Sequence, residues 1–408
     1  MSLINKIKIM HKLLQINITA NWGSTGKITE AIGNAVIRDG WDSYIAYGGS
    51  CNTSLSMLIK VGGKWNRYLH YAEQRVRDNE GLCSRCETKK LIQQIKEVNP
   101  DVVHLHNIHD HYLNYQVLFE YLNQTDIKVV WTFHDCWAFT GHCFHFVTKD
   151  CQRWKSGCYD CPLQREYPNT LLDRSKKNYE LKKLLFAGCK NLTIVPCSDW
   201  MADFVHESFL KDKRLEVIKN GVDLDVFKPA CNENTKESNN FKILAVSSIW
   251  NKEKGLEDIC KLRMLLPNEY TIIVVGLSEK QVNELPAGIT GIQRTQNVQE
   301  LVGLYSSANV LINPTYADTF PTVNLEALAC GTPVVTYRTG GSPETVSEET
   351  GVVVEQGDIK AMSDAIIKIC STSSKTFSDV CRRRAEELFN KDKCYEKYVK
   401  LYNNLIAE

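Results

Sequence analysis

Asp318 and Glu326 stand on either side of a seven-residue gap in the string NPTYADTFPTVNLEALACGTPVV, residues 313–335. A carboxylate accepts hydrogen bonds through two oxygens and so suits a sugar diol. The string also says where the two acids stand. Val310–Asn313 is apolar and predicts a strand, ended by Pro314. Pro321 sits where a helix begins, Thr322–Cys330 reads as that helix, and Gly331 with Pro333 stops it. Asp318 then lies in the loop before the helix and Glu326 one turn inside it. The stretch Phe320, Pro321, Thr322, Val323 brings free backbone N–H groups to the helix start, where the dipole favours an anion. Phosphates at the helix start, a ribose diol on Glu326 and a second sugar on Asp318 would make a nucleotide-sugar site. A capped helix with surface acids is the plainer use of the same residues.

The other chemistry-bearing clusters fall in the first half. Asp101–His111 reads DVVHLHNIHDH, four histidines in eight residues. His104 and His106 are two apart and share one face of a strand. A metal site would use such a set, but a strand end delivering polar groups to a ligand crevice is the better reading. His134 and Asp135 end the apolar run Val129–Phe133 in a similar way and could meet an acceptor. Next come Cys143, Cys151, Cys158 and Cys161, with gaps of seven, six and two residues. The closing Cys-x-x-Cys is a recurring zinc half-site, so these four could hold a structural zinc; buried free thiols in an irregular insertion are the alternative. Two strings are set aside. Asp223-Leu224-Asp225 follows a turn between domains and reads as structural, and Gly62-Gly63-Lys64 lacks the spacing of a phosphate loop.

Short apolar runs alternating with helical stretches must position these groups. Lys12–Asn17, Ser43–Tyr47, Asp101–His106, Lys128–Phe133 and Leu192–Cys197 predict strands, and Ile28–Asp39 a helix. The pattern restarts with Lys242–Ser247, Tyr270–Val275, Val310–Asn313 and Pro333–Tyr337. The expected fold class is α/β, with two doubly wound parallel-sheet domains. The first spans residues 1–212, with a cysteine-rich insertion near 136–165. The second spans 213–387, and a terminal helix over 388–408 packs back on the first. Asn232–Asn240 is polar and reads as a surface loop.

Composition fits two ordinary globular domains: 408 residues, 43% apolar and 24% charged. Residues 1–200 carry 25 Lys+Arg against 19 Asp+Glu, and the remainder 24 against 29. The basic half suits an anionic partner such as a lipid pyrophosphate or a membrane surface, or is plain surface variation. A total of +1 is no nucleic-acid signature. Sixteen cysteines without a secretory pattern point to the cytoplasm, where thiols stay reduced.

Several motifs in order resemble the family 4 retaining glycosyltransferases, which have the GT-B fold of two Rossmann-like domains facing a central cleft. The acid–seven–acid string with ALACGTPVV is one. Lys219-Asn220-Gly221-Val222-Asp223 with Phe227 and Pro229 resembles their inter-domain segment, and Gly340-Gly341-Ser342-Pro343-Glu344 a turn near the donor. Lys254-Gly255 resembles the lysine that contacts donor phosphates, and Gly23-Ser24-Thr25-Gly26 the first glycine-rich loop. Bacterial capsular and exopolysaccharide transferases are the most similar kind. The resemblance implies catalytic or donor-contacting roles for His106, Lys254, Asp318 and Glu326, and donor contacts from Gly23 and Gly26. Two departures stand out. Asp318 occupies a place commonly held by Glu, and Ile249 a place usually held by Arg, five residues before Lys254. Arg294 is a candidate to meet the phosphate charge left over.

The resemblance implies a metal-independent transfer of a hexosyl group from a nucleoside-diphosphate sugar, with retention and with no catalytic cofactor. The acceptor would be a glycan or a polyprenyl-pyrophosphate-linked sugar, met in the cytoplasm or at the inner membrane face. A sugar-nucleotide epimerase and a non-catalytic sugar-nucleotide-binding protein are the alternatives.

Overall fold

The computed structural model describes residues 10–230, 240–372 and 374–408; most of the polar segment expected to be a surface loop, Asn232–Asn240, lies outside them. The chain divides into two compact units. One comprises residues through Cys197, Met201–Ile218 and Tyr395–Glu408, and the other Ser198–Trp200 and Lys219–Cys394.

The first unit is a seven-stranded parallel sheet. Its strands are β1 (Lys12–Asn17), β2 (Asp42–Tyr47), β3 (Met57–Lys60), β4 (Val102–Leu105), β5 (Lys128–Phe133), β6 (Leu192–Pro196) and β7 (Arg214–Leu215). They lie in the order β3-β2-β1-β4-β5-β6-β7. The chain starts in the middle, winds outward to β3, then crosses back to β4. The strand order therefore reverses between β1 and β4, the place where an open α/β sheet leaves a ligand crevice. The central strands are buried on both faces, so they read as near-continuous apolar runs.

The second unit repeats the logic with six parallel strands: β8 (Phe241–Val246), β9 (Tyr270–Val275), β10 (Ile289–Ile292), β11 (Val310–Asn313), β12 (Val334–Tyr337) and β13 (Gly351–Val354). Their order is β10-β9-β8-β11-β12-β13, with the reversal between β8 and β11. Ile243, Ile272, Val274, Val310, Ile312, Val335 and Ile366 share its core. Both sheets are thus doubly wound, as the alternation of runs predicts. The sequence reading misses the edge strands β3, β7, β10 and β13. They lie at the sheet edges and are only partly buried, so no alternation or deep apolar run marks them out.

Candidate active site

In the second unit, Lys254 and Asp318 meet. Lys254 Nζ donates to Asp318 Oδ2 at 2.8 Å, with both side chains about one-quarter to one-third exposed. Local backbone chemistry sets both residues. Lys254 closes a short 3₁₀ turn, Lys252–Lys254, whose N–H is capped by Asn251 Oδ1 at 3.0 Å. Gly255 follows at φ +74° and backs onto the Pro314 carbonyl, an approach no side chain would allow. Tyr316 N donates to Glu253 O at 2.7 Å, tying the lysine turn to the loop that carries Asp318. From the other side Gly340, at φ +52°, lies against the Asp318 carbonyl, and Gly341 N donates to Thr319 O at 3.1 Å. The two glycines of the Gly-Gly-Ser-Pro-Glu turn thus form the backing of the Asp318 loop.

The helix after this loop runs Thr322–Ala329, with Cys330 as its cap. Phe320 and Pro321 are buried at its entry, and Thr322 and Val323 are half-buried. Asn324 anchors it, accepting from Asn313 Nδ2 at 3.0 Å and donating to Thr345 Oγ1 at 2.9 Å. Glu326 is half-buried, and its Oε2 accepts from Tyr305 OH at 2.8 Å. Tyr305 lies on the helix Val298–Ser307 and is fully buried, so it fixes one carboxylate oxygen in place. Arg294 is exposed in the segment after β10 and forms no part of the Lys254–Asp318 pair. Trp250, next to Ile249, is buried with its indole N–H on Val275 O at 2.8 Å, while Ile249 itself is exposed. Asp223 accepts from Asp225 and Val226 N–H groups and pairs with Lys391, so its carboxylate serves the turn.

In the first unit the polar groups gather at the carboxyl ends of β1, β4 and β5. Asn17, closing β1, accepts from Asn107 N at 3.2 Å and donates to Thr19 O and Thr25 Oγ1. Gly23 opens the next helix at φ +66° with open space beside it, so the backbone angle is what requires glycine. Gly26 has a different reason: a Cβ there would come within 2.6 Å of Thr19 Oγ1.

His104 and His106 do share a face, with ring centroids 4.0 Å apart, and that face is turned inward. His104 is bonded to Thr132 Oγ1 and Tyr402 OH. His106 is only 2% exposed and has both ring nitrogens engaged, by Gln15 Oε1 at 3.2 Å and His134 Nε2 at 3.1 Å. His134 stacks on His106 and is the more open of the two. Burial pushes both imidazoles down, His134 to about 4. The residue singled out by resemblance is therefore the inner member of a pair whose outer member is His134.

Sequence reasoning misses the group that organises this region. His109 Nε2 lies 2.9 Å from Asp135 Oδ2, and its Nδ1 lies 3.5 Å from Asp110 Oδ2. Burial opposes a charge on the ring, but the two carboxylates outweigh it and raise His109 to about 10. The same pairing outweighs burial at Asp135 and lowers it to about 2. Asp135 Oδ1 also accepts from Trp137 N at 2.9 Å. Beneath the loop, Glu80 accepts from the N–H groups of Asp110 and His111 and lies 2.8 Å from His111 Nε2. Asp110 and His111 both sit at positive φ, +72° and +68°. Two successive non-glycine residues in that region are costly, and the buried carboxylate holds them there.

The cysteine insertion corrects an expectation. Among the described residues no three His, Cys, Asp or Glu side chains converge as ligands for an ion. The Cys143 thiol hydrogen-bonds Cys161, whose own thiol that contact lowers to about 7. Cys158 accepts from Gly141 N at 3.2 Å, and burial pushes it up to about 12. A structural zinc held by these four cysteines needs all four thiolates to converge on one ion. Here the sulfurs serve a hydrogen-bonded core beside buried Lys182, which donates to the carbonyls of Trp137 and Thr140, and a zinc on Cys143, Cys151, Cys158 and Cys161 is not supported.

Comparison with known proteins agrees with this geometry. The family described as Glycosyltransferase Family 4 matches residues 64–226, and the one described as Glycosyl transferases group 1 matches residues 240–372. A putative colanic acid biosynthesis glycosyl transferase of Escherichia coli is 21% identical over 96% of this chain and 100% of its own length. Among solved structures, sucrose-phosphate synthase from Thermosynechococcus elongatus superposes with a TM-score of 0.74 at 18% identity, covering 97% of this chain and 99% of that one. The Anabaena protein HepE, solved in complex with UDP, gives 0.66 at 15% identity, over 97% of this chain and 100% of its own. With both units matched in order and both sheets of the expected topology, the chain belongs to the family 4 and group 1 glycosyltransferases of GT-B fold.

Proposed function

We propose that the chain transfers a hexosyl group, with retention, from a nucleoside-diphosphate sugar to a glycan or polyprenyl-pyrophosphate-linked acceptor during assembly of a cell-surface polysaccharide. The observation that carries this is the Lys254–Asp318 pair beside the entry of the helix Thr322–Ala329, with Glu326 one turn further on. A cation, free amides and an immobilised carboxylate stand together there, the set that a diphosphate and a ribose require. The curated relative named for colanic acid biosynthesis and the neighbour solved with UDP support the same reading.

In this mechanism the donor diphosphate takes Lys254 Nζ and the amides at the helix entry. Asp318, released from the lysine, accepts from hydroxyls of the transferred sugar. Glu326, its carboxylate held by Tyr305, takes the ribose diol. As the anomeric carbon–oxygen bond breaks, the lysine and the preorganised amides stabilise the departing diphosphate. The acceptor hydroxyl attacks from the same face and its proton passes to the leaving phosphate, so no metal is required. The acceptor lies against His134 and Asp135, with neutral His106 and charged His109 behind them.

A thermal-shift screen against nucleoside-diphosphate sugars tests the donor half, followed by a transfer assay with the stabilising donor. A saturating donor at ~100 times its dissociation constant adds about 2.7 kcal/mol of apparent stability. One donor raising the midpoint of the wild type, and none raising that of Glu326→Ala, is the expected result. A folded protein indifferent to every donor would overturn the assignment.

A further inference from the structure

The helix Lys64–Arg77 is inside out. Its residues buried against the unit are polar, His70 and Gln74. His70 accepts from Gly81 N at 3.2 Å and is bonded to Ser84 Oγ at 2.9 Å, and Gln74 donates to Pro168 O. The opposite face carries Trp65, Tyr68, Leu69, Ala72 and Val76, spaced three and four apart so that they form one stripe. Trp65 is 81% exposed, Tyr68 64% and Leu69 67%. The stripe does not end with the helix. Leu171 N and Leu172 N donate to the carbonyls of Arg75 and Val76, and both leucines stand half-exposed.

Isolated apolar side chains on a surface are ordinary, whereas a contiguous aromatic and aliphatic face marks a partner. Charge says which partner. The helix carries Lys64, Arg67, Arg75 and Arg77 against the single acid Glu73, and the segment after Leu172 adds Arg174, Lys176 and Lys177 against Asp173. Lys64, Arg77, Lys176 and Lys177 are exposed. Tryptophan, tyrosine and leucine on one face with a basic rim is the composition of a helix that lies in a bilayer interface. Its rings sit at headgroup depth and its cations meet anionic lipid. We infer that the face built by Trp65, Tyr68, Leu69, Val76, Leu171 and Leu172 docks this protein onto an anionic phospholipid surface. The exposed stripe stands whether or not the acceptor is lipid-linked.

The test is co-sedimentation of the full chain with vesicles of phosphatidylcholine, with and without phosphatidylglycerol, at low and high salt. The wild type is expected to bind the phosphatidylglycerol vesicles and to be released by salt. Trp65→Ser with Leu69→Ser should lower the partition coefficient about tenfold or more, since apolar burial drives insertion. Lys64→Glu and Arg77→Glu should each lower it about fivefold on anionic vesicles. Because all four side chains are exposed, the variants should keep the wild-type thermal midpoint and its shift by donor, which separates loss of docking from loss of the donor site. Binding that ignores these substitutions, or no binding to either vesicle, would overturn the inference. So would a wild type that sediments as a dimer and a Trp65→Ser variant that sediments as a monomer, because a second copy would then cover the face.

Discussion

Tyr305 and Glu326 lie on different helices 21 residues apart, and the phenol of one donates to the carboxylate of the other at 2.8 Å. The bond holds the carboxylate in place and removes the rotamer freedom that a lone glutamate would lose on binding. Tyr305→Phe deletes the donor and little else. A neutral-to-charged hydrogen bond of this kind is worth about 1.5–3 kcal/mol. In the proposed transferase the variant should raise KM for the donor roughly tenfold and leave kcat within about a factor of three, because the ribose contact is equally present before and during transfer. Steady-state kinetics with varied donor distinguish this from a fall in kcat at constant KM, which would place Glu326 at the reacting carbon.

Lys254 and Asp318 form a partly exposed pair, and such pairs add little to stability, about 0–1 kcal/mol. Lys254→Ala and Asp318→Asn should therefore unfold within about that margin of wild type. Their functional effects should differ in kind. Without the lysine the diphosphate loses its cation, and both the donor-dependent midpoint shift and the rate should fall, the rate by about 10²-fold or more. Asp318→Asn frees the lysine, so donor binding should persist while transfer is lost. Calorimetric titration of donor into each variant reads the distinction, and equal loss of binding in both would refute the division of labour.

The helix Thr322–Ala329 is legible because its signals are local: Pro321 at the start, Gly331 beyond the end and a mostly apolar stretch between, broken by Asn324 and Glu326. The partners that fix its side chains are not. Tyr305 reaches Glu326, and His109 reaches Asp135, only through sheet order and through the β4–β5 register that sets Leu105 beside Trp131. The inward turn of His104 and His106 depends on Tyr402, 298 residues away from His104. Period-two spacing puts the two histidines on one face but cannot say what covers that face. The cysteine spacing misleads for a related reason: it measures distance along the chain, and the insertion pairs Cys143 with Cys161 while Cys158 takes the Gly141 amide.

The His109–Asp135 pair is buried enough that breaking it strands a charge. Asp135→Asn should cost about 3 kcal/mol, the usual penalty for removing one partner of a buried pair. The sign of its pH dependence follows from both shifts. His109, raised to about 10, contributes fully below the unfolded imidazole value near ~6.5 and loses its contribution as pH rises through about 10. Asp135, lowered to about 2, contributes above ~3.9 and loses its contribution as pH falls through about 2. Carbon-detected NMR of the His109 ring should show an imidazolium at neutral pH in the wild type and a neutral ring in Asp135→Asn.

Acid should weaken the fold before any of these carboxylates titrate. Burial lowers His70 and His134 to about 4 and holds His104 and His106 well below the usual imidazole value. Their contribution is present above ~6.5 and lost as pH falls toward the folded values, since the unfolded chain takes up protons that the folded chain refuses. Each fully titrating histidine gives a slope of about 1.4 kcal/mol per pH unit. Urea midpoints measured from neutral pH down to ~5 should fall steeply, and His70→Gln should flatten the slope by roughly one histidine's share. An unchanged slope would mean that His70 is already protonated in the fold.

Gly340 offers the sharpest separation of backbone strain from site geometry. At φ +52° it packs against the carbonyl of Asp318, so Gly340→Ala adds both left-handed strain and a methyl where that oxygen lies. Gly357 is a matched control: it sits at φ +78°, and its Cβ would meet only the Tyr316 hydroxyl, at 3.3 Å. Each alanine should cost about 1–2 kcal/mol for the backbone angle alone. Only Gly340→Ala must also push the Asp318 loop away from Lys254, so it should lose transfer by about 10²-fold, the cost of misplacing a reacting group by ~1 Å. Gly357→Ala should lose stability and keep the rate. If both variants unfold alike and both retain full transfer, the Gly340–Gly341 turn serves folding alone and Asp318 is positioned by the Lys254 side.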